Sequence, residues 1–174
     1  MLESEDVQLR DTASVTVGAR VLALVGALVA VLALGLPWAQ QEYTKVIDHD
    51  PFLLHGGMRW TGWGLHTASS IDGERPMSVA WVVVLAGGSL ILLLGAWLSF
   101  ELPRSAWLPM IMALIAAVLL LGSFWATRHL VGTSDGARTI TTEYGPAIWR
   151  TAMLAVLFAT VRLGLIMDKR SWKM

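Results

Sequence analysis

Residues 21–41 read VLALVGALVAVLALGLPWAQQ and contain no charged side chain. At a rise of about 1.5 Å per residue, a helix of this length spans about 31 Å, enough to cross a hydrocarbon layer about 30 Å thick. No water is present in such a layer to satisfy backbone N–H and C=O groups, so a single segment satisfies them internally only as a helix. This reading makes the chain a membrane protein, and residues 21–41 are expected to form its first span. Pro37 is expected to end that helix and Trp38 to lie at the interface. Residues 1–20 are polar and slightly acidic, with Glu3, Glu5 and Asp6 near the start, and lack apolar periodicity. They read as a mobile cytoplasmic tail that stops at Arg20. Because the start is acidic and no small-residue cleavage site follows the apolar run, the segment does not read as a secretory signal, and the first helix is expected to be retained.

The pattern recurs three times. Residues 76–100 and 105–127 are uncharged runs, joined by the short polar turn 101–104 (ELPR). So short a connection makes the two runs antiparallel neighbours. A fourth run, 146–167, starts at Pro146, which suits a first helical turn, and is interrupted only by Arg150 and Arg162. Between the runs lie two polar segments, an outer loop at 42–75 and a smaller one at 128–145. Residues 168–174 carry the basic cluster Lys169, Arg170 and Lys173. The expected fold is all-α: a four-helix transmembrane bundle with one larger and one smaller extracytoplasmic loop, the first partly ordered against the second.

Composition agrees. The chain is 55% hydrophobic and 15% charged, whereas soluble domains are about 45–50% apolar and about 25% charged. Thirteen basic residues balance thirteen acidic ones, which leaves no nucleic-acid footprint. With no cysteine, disulfides, thiolate metal sites and a cysteine nucleophile are excluded. Four spans put both ends of the chain on one side. Arg20, Arg104, Lys169, Arg170 and Lys173 flank those ends and Arg162 snorkels toward them, while Lys45, Arg59, Arg75, Arg128, Arg138 and Arg150 lie on the other side; with weight on charges close to the helix ends and on the C-terminal cluster, the expected orientation is N-in/C-in in the inner (plasma) membrane. Trp38, Trp81, Trp125 and Trp149 are expected in an outer interfacial belt, and Trp97, Trp107 and Trp172 in an inner one.

Chemistry-bearing residues concentrate in the outer segments. His49, His55, His66 and His129 all fall on the outer side, with Asp48 and Asp50 flanking His49. Imidazole and carboxylate together suit zinc, copper or iron, but the spacing matches no metal motif, and Asp-His-Asp-Pro equally makes a turn. The same histidines suit pH sensing. Trp60-Thr61-Gly62-Trp63 pairs aromatic anchors with a glycine that permits close approach. The two rings either dock a membrane partner or lipid, or cap the loop on its own helices. Gly26 and Ala30 share one face of the first run and allow close helix packing, within the bundle or onto a partner. No span contains an acidic residue or a histidine, which lowers the weight of a proton- or cation-coupled transporter. No phosphate loop, nucleophile elbow or buried carboxylate pair is present.

The run ALGLPWAQ at 33–40, followed by MRWTGWGL at 58–65 and three further spans, resembles small four-span actinobacterial membrane proteins, the tryptophan-associated transmembrane protein family. That resemblance covers size and layout, implies a high-GC source and transfers no catalytic residue. The expected function is a non-enzymatic accessory or assembly subunit of a respiratory or cell-envelope membrane complex. In this reading Trp38, Trp60, Trp63, Gly26 and Ala30 contact other integral subunits, and no cofactor is needed. The alternative is an outer-face protein binding a metal, haem or small ligand through His49, His55, His66 or His129. A small transporter or lipid-handling protein is a third possibility.

Overall fold

The uncharged runs become helices, and the polar segments between them become strands. A computed structural model of the chain describes residues 2–46, 53–63, 66–68, 79–102, 107–130 and 138–171. The elements in chain order are α1 (Leu2–Ala33), β1 (Pro37–Val46), β2 (Leu53–Thr61), β3 (His66–Ala68), α2 (Val79–Glu101), α3 (Trp107–Leu130), β4 (Arg138–Thr142) and α4 (Gly145–Ser171). Four helical stretches are long and apolar enough to cross a membrane: Ser14–Ala33, Ala80–Glu101, Trp107–Trp125 and Gly145–Met167. The protein is a multi-pass membrane protein built on a four-helix bundle.

Within the bundle α1 lies against α2 and α4, and α3 against α2 and α4, with the α1–α4 seam the most extensive. Between apolar helices in lipid, tight packing takes the place of the hydrophobic drive. The inward face of α1 is accordingly small, with Ala19, Ala23, Ala27 and Ala30 buried. A methyl on Gly26 would lie 3.0 Å from Val156 Cγ2 and 3.1 Å from the Ala152 carbonyl oxygen. Ala152, Met153, Val156, Ala159 and Leu163 of α4 fill the opposite face. Leu32, Val83, Leu94, Leu114, Leu121, Phe158 and Leu165 are exposed around the outside and form the surface that faces lipid. The buried polar residues among those described are Ser89, Ser99, Ser123 and Thr160. Each hydroxyl donates to a carbonyl three or four residues back in its own helix, at 2.7–2.8 Å, which satisfies it without a partner helix.

The two longer polar segments contribute a four-stranded antiparallel sheet in the order β3-β2-β1-β4. β1 is the central strand, paired with β2 from Pro37↔Thr61 to Val46↔Leu53 and with β4 from Ala39↔Thr142 to Tyr43↔Arg138. The β1–β4 pairing joins the two longer polar segments, which four spans place on one side of the bundle. β1 leaves α1 after only a short link, and β4 leads directly into α4. The antiparallel helix pair α1–α4 therefore continues out of the membrane as the antiparallel strand pair β1–β4.

Two expectations change at α1. The first helix begins at Leu2 rather than after a tail, and the span lies at Ser14–Ala33, because residues 14–19 are uncharged and extend the apolar run backwards. The helix ends at Ala33, not Gln41, because Gly35 and Pro37 break it and residues 37–41 enter β1. Strand entry at Pro37 is tolerated because a first strand residue needs no ladder N–H. The second polar segment also divides, with α3 continuing to Leu130 before β4.

Candidate functional site

The end of α1 explains why both tryptophan-bearing motifs are needed. The last turn tightens through bonds from the Leu34 N–H to the Val31 carbonyl (3.3 Å), Gly35 to Leu32 (2.9 Å) and Leu36 to Ala33 (3.2 Å). A helix C-terminus leaves carbonyls without intrahelical donors. The Trp38 indole Nε1–H donates to the Ala33 carbonyl at 2.9 Å, and the Trp63 backbone N–H donates to the Leu34 carbonyl at 3.2 Å. The stretch 33–40 thus folds back to cap its own helix, and the tip of the β2–β3 turn completes the cap.

Three indoles fill the junction between bundle and sheet. Trp38, Trp60 and Trp149 are 2%, 1% and 0% exposed. The rings of Trp38 and Trp149 meet edge-on, with centroids 6.0 Å apart and planes at 65°, a favoured aromatic geometry. The Trp149 Nε1–H reaches across the bundle from α4 to Ser89 Oγ in α2 at 3.1 Å. Two glycines make room for Trp38. A Cβ on Gly62 would lie 2.7 Å from Trp38 Cε2, and one on Gly145 would lie 2.5 Å from both Trp38 Cδ1 and the Pro37 carbonyl oxygen. The Glu143 N–H donates to the Trp38 carbonyl at 3.1 Å and carries the β1–β4 ladder down to the bundle.

Of the residues that the sequence offered as partner contacts, Trp38, Trp60, Gly26 and Ala30 are spent on the chain's own packing. Trp38 and Trp60 are buried in the junction, and Gly26 and Ala30 in the α1–α4 seam. Their capacity for close approach is met internally, so these four residues leave the set of surface contacts. Trp63 differs: its backbone caps α1 while its side chain remains 36% exposed. The expected interfacial belts change in the same way. Trp97, Trp107 and Trp125 are exposed at the span ends, whereas Trp38 and Trp149 turn inward. Trp81 is half-buried against Trp125, at 5.2 Å between centroids. Trp172 lies outside the described residues.

The histidines are dispersed along the elements. His55 of β2 pairs with Thr44 of β1, His66 of β3 pairs with Trp60 of β2, and His129 is in the last turn of α3. His49 lies outside the described residues. Among the described residues no group of three or more His, Asp or Glu side chains gathers as metal ligands do.

A polar row emerges that the sequence reading missed. Gln40 lies between Arg59 and Thr141 in register. Arg59 Nε donates to Gln40 Oε1 at 2.9 Å, and Thr141 Oγ1 donates to the Gln40 carbonyl at 3.4 Å. Arg59 and Thr141 are exposed. The only sequence signal was Arg59 beside Trp60, and it carries no information about pairing with a strand from the other segment. The strand assembly therefore offers a sheet clamped to the bundle at its base, with Trp63 and this polar row at the surface. Neither the protein-family models nor the curated proteins compared with this chain give a match.

Proposed function

We propose that this protein is a non-enzymatic accessory or assembly subunit of a larger respiratory or cell-envelope complex in the inner membrane of an actinobacterium. The observation that carries this reading is the exposed Trp63 ring, at a turn whose backbone is bonded to the end of α1. A large aromatic side chain on a fixed backbone loses little conformational freedom on contact, and tryptophans of this kind are strong interface anchors. Arg59, Gln40 and Thr141 supply a polar row on the same sheet, and polar groups of this kind are common at the rims of interfaces. The sheet faces outward and both termini are cytoplasmic, because Lys169, Arg170 and Lys173 cluster beyond the fourth span and Arg20, Arg104 and Arg162 flank the same side. The actinobacterial source and the class of complex rest on the resemblance of the 33–40 and 58–65 motifs.

The test is affinity purification of the tagged protein from its own membranes in a mild detergent, with mass spectrometry of the co-purifying chains. A defined set of integral subunits in near-equal amounts is expected, and Trp63→Ala should release them while leaving the tagged chain folded. A chain that purifies alone from native membranes, with no partner captured by cross-linking, overturns the proposal.

A further inference from the structure

The α4 span contains two cations, and they are used differently. Arg150, near the sheet, is bonded to Ser123 of α3 through Nε and Nη2, both at 3.2 Å. Arg162 stands five residues before the span ends at Met167, or about 8 Å along the helix axis. Charges at such depth usually turn to the bundle interior or to a water-filled cavity. Arg162 instead is exposed on the outer surface, and among the described residues its guanidinium has no hydrogen bond, ion pair or ring contact. All of its N–H donors are open. At about 100° per residue, it is turned about 120° from Arg150, away from α3 and toward the outer side of the α1 seam. That seam has room at the same level. Gly26 lies beside Ala152 and Val156, so in the antiparallel pair Gly18, eight residues earlier, comes level with residues 160–164. Gly18 is exposed, and a Cβ there would meet nothing within 4 Å. About one turn deeper into the span, Leu22 of α1 and Phe158 of α4 are both exposed. Lys169 follows Arg162 by seven residues, two turns later on the same face and beyond the end of the span.

We propose that Arg162 and the notch at Gly18 form a binding site for the phosphodiester of an anionic phospholipid, in the leaflet at the end of the bundle away from the sheet. A bare cation in hydrocarbon is costly, and the chain supplies no counter-charge, so a lipid phosphate meets a need that the fold leaves open. The long side chain snorkels to the headgroup level, where its planar fork matches phosphate geometry. Gly18 leaves space for the glycerol backbone against α1, and Leu22 and Phe158 wall the upper acyl chain. Lys169 adds a second positive charge at the headgroup level, which favours a net negative headgroup over a zwitterionic one. The site is independent of any protein partner.

Delipidated full-length protein is titrated with phosphatidylglycerol or phosphatidylcholine in detergent, and bound lipid is counted by native mass spectrometry. Phosphatidylglycerol should bind about fivefold more tightly than phosphatidylcholine, the ratio that matches about 1 kcal/mol for one cation at an anionic surface. Arg162→Gln should remove that preference and, because the side chain has no partner in the fold, leave Tm unchanged. Gly18→Leu fills the notch and should weaken both lipids. Arg104→Gln removes one charge from the link between α2 and α3 at the same end of the bundle and should leave the preference intact. If Arg162→Gln does not fold by near-UV circular dichroism, Arg162→Lys and Gly18→Leu carry the test, the first by a reduced preference through loss of the fork. Unchanged phosphatidylglycerol affinity in the folded Arg162 and Gly18 variants overturns the proposal. So does an equal loss in Arg104→Gln, which indicates bulk charge, or displacement of the lipid by inorganic phosphate alone, which indicates a free-anion site.

Discussion

Replacing Gly145 by alanine tests the junction most directly. The new methyl would lie 2.5 Å from the Pro37 carbonyl oxygen and 2.5 Å from Trp38 Cδ1, about 1 Å inside an ordinary contact distance of about 3.5 Å. Neither neighbour yields easily. Pro37 O is backbone in the link between α1 and β1, and Trp38 is pinned by its bond to the Ala33 carbonyl and by the Trp149 ring. Overpacking costs about 1–3 kcal/mol, and with both neighbours fixed the upper end applies. Alanine's helix preference over glycine returns at most about 1 kcal/mol, less at a first-turn position such as Gly145. The net loss is about 2 kcal/mol, and for a chain of this length that lowers Tm by about 4–8 °C. Thermal unfolding in detergent, followed by tryptophan fluorescence, measures it. Gly87→Ala is the control: a Cβ there meets nothing within 4 Å, so its Tm should stay level or rise. A Gly145→Ala protein at or above the wild-type Tm, with Gly87→Ala at or below it, would refute the steric account.

Three further outcomes follow from the same geometry. Ser89→Ala strands the buried Trp149 N–H and should destabilise by about 1–3 kcal/mol. In a Trp149→Phe background the same change should cost far less, and strictly additive effects in a denaturant series count against a working Ser89–Trp149 bond. Gly26→Leu places a branched side chain against the Ala152 carbonyl and Val156 and should part α1 from α4, seen as loss of the monodisperse folded species on size exclusion. The Glu143–Trp38 bond makes that pair hydrogen-bonded and leaves Ala39↔Thr142 as the closer, non-hydrogen-bonded type. Since the chain has no cysteine, an Ala39→Cys/Thr142→Cys double variant should form one disulfide under mild oxidation, whereas Ala39→Cys/Thr141→Cys should not; the reverse result would mean a slipped register.

The four spans were legible because the hydrocarbon layer imposes length and polarity together, and residues 21–41, 76–100, 105–127 and 146–167 satisfy both. Their boundaries were less so: Arg20 reads as a flank, yet the first span runs past it to Ser14. The sheet was hidden for a physical reason. β1 reads PWAQQEYTKV, without the apolar-polar alternation of a strand half-buried on a core. Its partner β4 is remote, with Gln40 and Thr141 separated by 101 positions. The tryptophans misled through their own chemistry. An indole with an apolar body and one N–H suits a membrane interface, but it suits equally a buried niche that offers one acceptor. The Ala33 carbonyl for Trp38 and Ser89 Oγ for Trp149 are such acceptors, and neither is visible in the local sequence. Gly62 likewise signals close approach, but the surface approached is Trp38 of the same chain.

The continuity of the α1–α4 pair with the β1–β4 pair sets an order of events during synthesis. After the first two spans enter the bilayer, β1 has its hairpin partner β2, but its other edge stays open and the alanine-rich face of α1 has no α4 to pack on. Both vacancies close in one step, when β4 and α4 emerge together. Until then the nascent protein displays an unpaired strand edge outside the membrane, the feature that invites wrong pairing, and a bare helix face within it. The last span acts as a latch on the whole assembly. A chain that stops before Arg138 would leave both the β1 edge and the α1 face uncovered, displaying its incompleteness outside the membrane and within it.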